Sequence, residues 1–213
     1  NITTTLTKFR QSDFTSLAKG GADVVFVSLC GLEKGFVMTK LGTNLPGDVV
    51  GDLVTGLGKK RIDHIQQMND YFTDLEREYD FYCQLDGQKV MIDGKWHRYK
   101  LVSDFREMEK ETEPNIKTIY VILTIEGTHV FNTGLKMMGK TADPKEVLAN
   151  VDKVKNWDHR LFFVGLTHHF DNEMVGHAQS LKGIAGKLCD QKEGMNEGFN
   201  ELGWKVLRKL LDN

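Results

Sequence analysis

The chain is short of the residues that place a protein quickly. Among 213 residues there are three prolines and three cysteines. Cys30, Cys83 and Cys189 are odd in number, far apart and without CxxC spacing. That argues against a disulfide framework and against a cysteine-type structural zinc site. Unpaired thiols favour a reducing compartment, the cytoplasm first. Charge of one sign is lacking too. Lys and Arg number 28 against 30 Asp and Glu, a formal net charge of -2, with no long block of either sign. Nucleic acid and anionic membranes are therefore not expected as partners. No apolar run approaches the roughly 20 residues that span a bilayer. There is no P-loop, no GxGxxG after a strand and no GxSxG elbow. The chain opens Asn1-Ile2-Thr3, without an initiator methionine or a signal-like apolar stretch. We read that as a trimmed or partial chain, which leaves an upstream targeting segment open.

What is present is ordinary for a globular protein: 40% hydrophobic and 27% charged residues. The organising stretch is Thr118–His129. Its run from Ile119 to Glu126 is apolar but for Thr124 and the final glutamate, as expected of a parallel strand buried on both faces. A carboxylate at the carboxyl end of such a strand sits where α/β enzymes place their chemistry.

The remaining pattern predicts a polar, irregular start over residues 1–11. A short helix follows, capped by Ser12 or Asp13 and ended at Gly20-Gly21. Ala22–Leu29 reads as a buried strand, and Cys30–Gly58 as a long loop. Lys59–Tyr79 has the apolar spacing of a single helix. Asp86-Gly87 and Asp93-Gly94 mark turns, the second a hairpin between Lys89–Ile92 and Trp96–Val102. We take residues 83–102 as a β-hairpin insertion outside the main sheet. Ser103 caps a charged helix over Asp104–Glu111. Asp143-Pro144 starts a helix running to about Trp157. Leu161–Thr167 reads as a third buried strand ending in His168-His169, and a last amphipathic helix covers about Met195–Asp212.

Three buried strands joined by helical crossovers imply an α/β protein with a parallel sheet and helices outside it. Three such strands leave exposed edges. The expected fold is a partial (β/α)8 barrel of the TIM type over residues 1–213, carrying strands two to four with their helices.

Two strand ends present polar groups, Glu126 and the pair His168-His169. Neighbouring parallel strands lie about 4.8 Å apart, so Glu126 and His168 can reach a common ligand. A carboxylate beside imidazoles suits a divalent metal, zinc above all. The plainer reading is that a strand-end glutamate is a loop residue and that one of the two imidazoles is structural. His129 and His177 are weaker candidates. His64, His97 and His159 read as surface or structural groups, and Lys59-Lys60-Arg61 as a solvated helix start.

Several of these segments have a familiar look. Ile125-Glu126-Gly127-Thr128-His129 resembles the Ile-Glu-Gly-Gly-His segment of the membrane (renal) dipeptidase family, within the metal-dependent amidohydrolase superfamily. Gly165-Leu166-Thr167-His168 resembles that family's next strand end, and His169–Glu173 with Gly176-His177 resembles its following loop. Gly198-Phe199 and Leu202–Leu207 resemble the helix after that, and Gly20–Phe26 the second strand. The resemblance implies a (β/α)8 barrel with two zinc ions hydrolysing dipeptides. Glu126 would bridge both metals. His168 would contact the substrate or the developing oxyanion, and Asn172 would lie among the substrate-binding residues. The family's first-strand His-x-Asp or His-x-His pair has no counterpart before residue 22, and its later metal ligands have none either. Gly127-Thr128 replaces Gly-Gly, and the 83–102 hairpin is not typical of the family.

The expected function is thus metal-dependent hydrolysis of an amide bond in a dipeptide-like small molecule, with homo-oligomer assembly open. The alternative is a noncatalytic binding or scaffold protein derived from the barrel. Other amidohydrolase chemistry, such as deamination or lactone hydrolysis, is a third reading, since a barrel does not fix its substrate.

Overall fold

A computed structural model describes residues 13–40, 42, 52, 56–110 and 113–212. The polar stretch 1–11, the Ser12 cap, the end of the charged segment at Glu111 and part of the 30–58 loop lie outside them. The described residues form a mixed α/β structure with a five-stranded, mostly parallel sheet and six α-helices.

The helices and strands run in chain order as α1 (Phe14–Lys19), β1 (Val24–Leu29), α2 (Lys59–Gln67), α3 (Tyr71–Leu85), β2 (Lys89–Ile92) and β3 (Lys95–Leu101). They continue with β4 (Ile116–Glu126), α4 (Pro144–Lys155), β5 (Val164–Gly165), α5 (Gly183–Leu188) and α6 (Glu201–Leu211). β4 is the stretch singled out in the sequence, and it is the central strand. Tyr120–Ile125 pair in parallel with Val24–Leu29 of β1. On the other edge, Ile116–Val121 pair with β3, and Ile125–Glu126 with β5.

The sheet departs from the expected one in four ways. It does not close into a barrel among the described residues. The hairpin at 89–101 forms as predicted around Asp93-Gly94, whose φ angles of 50° and 75° suit a primed turn. It is not an insertion outside the sheet, however, because β3 pairs in parallel with β4 over six residues. β1 alternates in burial rather than being buried on both faces; Val24 and Phe26 are 37% and 50% exposed. Finally, the strand expected over Leu161–Thr167 shrinks to Val164–Gly165, with Phe162 and Phe163 half-exposed. Among the described residues the α-helices pack against one face of the sheet. Leu29, Val121, Leu123 and Ile125 face a core completed by Phe72 and Leu75 of α3, Val147 and Val151 of α4 and Val206 of α6. On the opposite face Phe26 and Phe105 each lie against Phe162, with ring centroids 5.2 and 6.0 Å apart.

The single helix expected over 59–79 is two. Asp70 takes the N-cap of α3, its carboxylate accepting from the Thr73 amide at 2.9 Å and the Thr73 hydroxyl at 2.8 Å. The buried Lys34 ammonium donates to Ile65 and Gln66 carbonyls at 2.6 and 2.7 Å, closing the end of α2. Capping at this junction, by the adjacent Asp70 and the distant Lys34, outweighs a continuous apolar stripe. The charged segment is a 3₁₀ turn, Phe105–Lys110, whose Arg106 amide donates to Asp104 rather than to Ser103. The last helix begins only at Glu201, capped by Asn200, because the preceding chain bridges Val175 with Phe199 and His177 with Met195.

Gly203 inside α6 explains the close seat of this helix. A β-carbon there would lie 2.2 Å from the Met174 carbonyl oxygen and 2.9 Å from its carbon. Alanine is favoured over glycine in a helix by about 1 kcal/mol, but a backbone obstacle cannot swing aside. Gly203→Ala is therefore expected to destabilise by about 1–3 kcal/mol in urea unfolding. An unchanged or raised midpoint would contradict this packing.

Candidate functional site

The site lies where β1, β4 and β5 end at one edge of the sheet. Glu126 closes β4, and its side chain is 52% exposed. Gly127 follows with φ of 88°; a β-carbon there would come within 2.5 Å of His129 Nδ1 and 3.0 Å of His168 Cβ. Only glycine combines that backbone conformation with that proximity. The next turn, Thr128–Phe131, is buried throughout and brings His129 back under the strand ends. The Thr128 hydroxyl donates to the Leu166 carbonyl at 2.7 Å, tying this turn to the segment leading to His168.

Glu126 and His168, both anticipated from the sequence, do come together. His168 Nε2 lies 3.8 Å from Glu126 Oε1. What the sequence reading missed is Glu33. It is 3% exposed, in the loop after β1, and it is the hub of the cluster. Its carboxylate accepts from His168 Nδ1 at 2.7 Å, the His169 amide at 3.1 Å and the Phe170 amide at 3.1 Å. Its place just beyond the end of a parallel strand was the available signal. An acidic residue in a long glycine-containing loop does not announce a partner 135 residues away.

Burial alone would raise the Glu33 carboxyl. The hydrogen bond from His168, the nearby His129 and the His169 amide outweigh it and hold the carboxyl below the usual range. Burial would likewise lower His168, but Glu33 and then Glu126 raise it above an ordinary histidine. His129 goes the other way. It is fully buried, and desolvation dominates the opposing pull of Glu33 and the Gly31 carbonyl, so its pKa falls. Its Nε2 donates to Gly31 O at 2.6 Å, and its Nδ1 has no hydrogen-bond partner, lying 4.0 Å from Glu33. Cys30 is near both carboxylates, but burial and then the charges of Glu33, Glu126 and Glu78 push the thiol up to about 12. A thiolate nucleophile is thereby disfavoured at neutral pH.

Asn172 sits apart from this chemistry. It is 1% exposed, and its amide donates to Thr128 Oγ1 and the Leu166 carbonyl while its oxygen accepts from the Met174 and Val175 amides. All of its bonding capacity goes into holding the loop. His177 is buried with its ring nitrogens on the Ala178 and Glu193 carbonyls, and His169 reaches Ser180. A cavity of about 350 Å³ adjoins the cluster, sharing Glu33 and His129 with it, while Glu126 and His168 lie off its lining. Lys136 stands at that cavity, paired with Asp171 and Glu193 at 2.9 and 2.7 Å. Lys34, on the same wall, is pulled down to about 8 by burial.

A catalytic zinc takes three protein ligands. Among the described residues no group of three His, Cys, Asp or Glu side chains is disposed to hold a metal ion. Glu126 fits one ligand position, being half-exposed with its charge uncommitted to a hydrogen bond in the cluster. Among the described residues, too, no helix is long and apolar enough to cross a membrane.

The Glu33–His168 pair makes stability depend on pH in a defined window. The depressed Glu33 contributes above its unfolded value near 4.5 and loses that contribution as pH falls through its folded value. The raised His168 contributes below its unfolded value near 6.5 and loses that contribution as pH rises through its folded value. Both act in full between about pH 4.5 and 6.5. His129 opposes them in this window, because only the unfolded chain takes up its proton readily. Glu33 offsets part of that effect, so in Glu33→Gln His129 falls further and adds to the loss below its unfolded value. The stability difference between wild type and Glu33→Gln should therefore peak at about 1.5–3 kcal/mol between those pH values and shrink above them. A difference that grows steadily with alkalinity would refute the pairing.

Comparison with protein-family models, with curated proteins and with solved structures finds no match to this chain.

Proposed function

We propose that this chain carries part of the active site of a metal-dependent hydrolase that cleaves the amide bond of a dipeptide or similar small substrate. The observation that carries the reading is the meeting of Glu126 and His168, 3.8 Å apart, the first at the end of β4 and the second three residues beyond its parallel partner β5. The one-sided helical layer supports a barrel of the (β/α)8 type over a doubly wound sheet, which would have helices on both faces. The motifs around these two residues supply the resemblance to membrane dipeptidases.

On this reading Glu126 presents a carboxylate to a divalent metal. Glu33 favours the protonated form of His168, and in that form Nε2 would donate a hydrogen bond to a carbonyl oxygen as it gains charge. Bound zinc, two ions in the family this chain resembles, would supply an activated water. The other ligands would have to come from outside the described residues. The test is elemental analysis of the native protein together with assays on a dipeptide panel. Stoichiometric metal with hydrolysis of at least one dipeptide is expected. Neither metal nor hydrolysis would sink the enzyme reading and favour a noncatalytic binding protein instead.

A further inference from the structure

We propose that Glu33 is a positioning residue of this site: by accepting the Nδ1 proton of His168 it fixes the ring tautomer and turns Nε2 toward Glu126. This deepens the hydrolase reading and rests on it for its catalytic meaning, though not for its geometry.

Three donors converge on the Glu33 carboxylate: His168 Nδ1 at 2.7 Å and the amides of His169 and Phe170, each at 3.1 Å. The two backbone amides are obligatory donors, one to each carboxylate oxygen, and they favour the ionised carboxylate; a carboxylate facing Nδ1 at 2.7 Å accepts, which places the ring proton on Nδ1. In a neutral ring one nitrogen carries the proton and the other a lone pair. With Nδ1–H fixed, Nε2 is the only nitrogen left to exchange a proton, and it is the one 3.8 Å from Glu126. The two amide bonds do more than satisfy the carboxylate. They clamp the backbone immediately after His168, so one side chain sets both the ring's rotation and the path of the loop that carries it. Glu33 is itself closely held: it is 3% exposed and precedes a 3₁₀ turn, Lys34–Phe36, whose first amide donates to the Tyr71 hydroxyl at 2.9 Å. Gly35 of that turn lies against Phe170, where a β-carbon would come within 2.5 Å of the ring. Such an outer carboxylate is how proteins hold a working imidazole in one tautomer.

The experiment is long-range proton–nitrogen correlation on ¹⁵N-labelled protein, at a pH where the His168 ring is neutral. In the wild type, Nδ1 is expected to show the protonated resonance and Nε2 the unprotonated one. In Glu33→Ala the acceptor shared by His168 Nδ1 and the His169 amide is gone, and the ring proton is expected to shift toward Nε2, the nitrogen that an unconstrained neutral histidine prefers. His129, assigned in the same spectra, is expected to keep its proton on Nε2. The proposal is overturned if the wild-type His168 proton sits on Nε2, or if Glu33→Ala folds and leaves the pattern unchanged. If Glu33→Ala does not fold, the wild-type spectrum decides. This measurement needs neither metal nor turnover. A correct tautomer in a protein without hydrolysis would sink the enzyme reading alone, and a wrong tautomer in an active enzyme would sink this proposal alone.

Discussion

On the proposed hydrolase reading, Glu126→Gln is expected to lower dipeptide turnover by about 100-fold or more and to weaken metal binding, while leaving the fold intact. The substitution is isosteric and removes the charge. A charged group acting on the transition state is typically worth about 10²–10³ in rate, and a cation loses a formal negative ligand as well. The structural cost should be small. Glu126 is 52% exposed, and its approach to His168 is 3.8 Å, too long for a hydrogen bond. Thermal unfolding should therefore change by no more than about 0.5 kcal/mol, as for other exposed substitutions. The pairing of results matters: a large kinetic loss with unchanged stability identifies a functional group, whereas a loss of both would mark a structural one. Unchanged metal content and unchanged kcat/KM would remove Glu126 from the site.

Phe131→Ala is expected to have the largest effect on stability, about 3–5 kcal/mol in urea unfolding. Phe131 ends the turn that follows Glu126 and is fully buried. It belongs to the core shared by Leu29 of β1, Phe72 of α3 and Val147 and Val151 of α4. Asn132 follows it in the left-handed conformation, φ 71°, with its side chain bonded to the Phe72 amide, Asp70 and Glu146. That anchoring restricts how far the turn can collapse into a cavity, which places the cost toward the upper part of the range. Against a total stability of about 5–15 kcal/mol, the loss should be visible as a large drop in midpoint. It should also disturb His129, two residues before it, which is held between Gly31 and Tyr71. A loss below about 1 kcal/mol would mean that Phe131 is not a core residue.

The elements that were legible in the sequence share a feature: their determinants are close in sequence. The apolar run of β4, the Asp93-Gly94 turn, and the Asp143-Pro144 start of α4 follow from local backbone chemistry. Asp143 caps as expected, accepting from the Lys145 amide at 2.9 Å. Errors arose where a distant group entered. The break between α2 and α3 depends on Lys34 reaching the end of α2 from the loop after β1. Pairing of β3 with β4 depends on strand geometry across a connection whose composition says nothing about sides. The short β5 reflects the division of one edge of β4 between two strands, since β3 already occupies its first half.

The candidate site divides the same way. Sequence alone determined an α/β chain, a buried strand ending in Glu126, and a short strand ahead of His168, because hydrophobic periodicity and turn chemistry are local. Tertiary structure decided that these two groups meet, that Asn172 is spent on holding its loop, and that Glu33 anchors His168 from 135 positions away. The physical reason is that a buried carboxylate has meaning only through its partners. Desolvation makes Glu33 costly by itself, and only the folded chain supplies the three donors that make it stable.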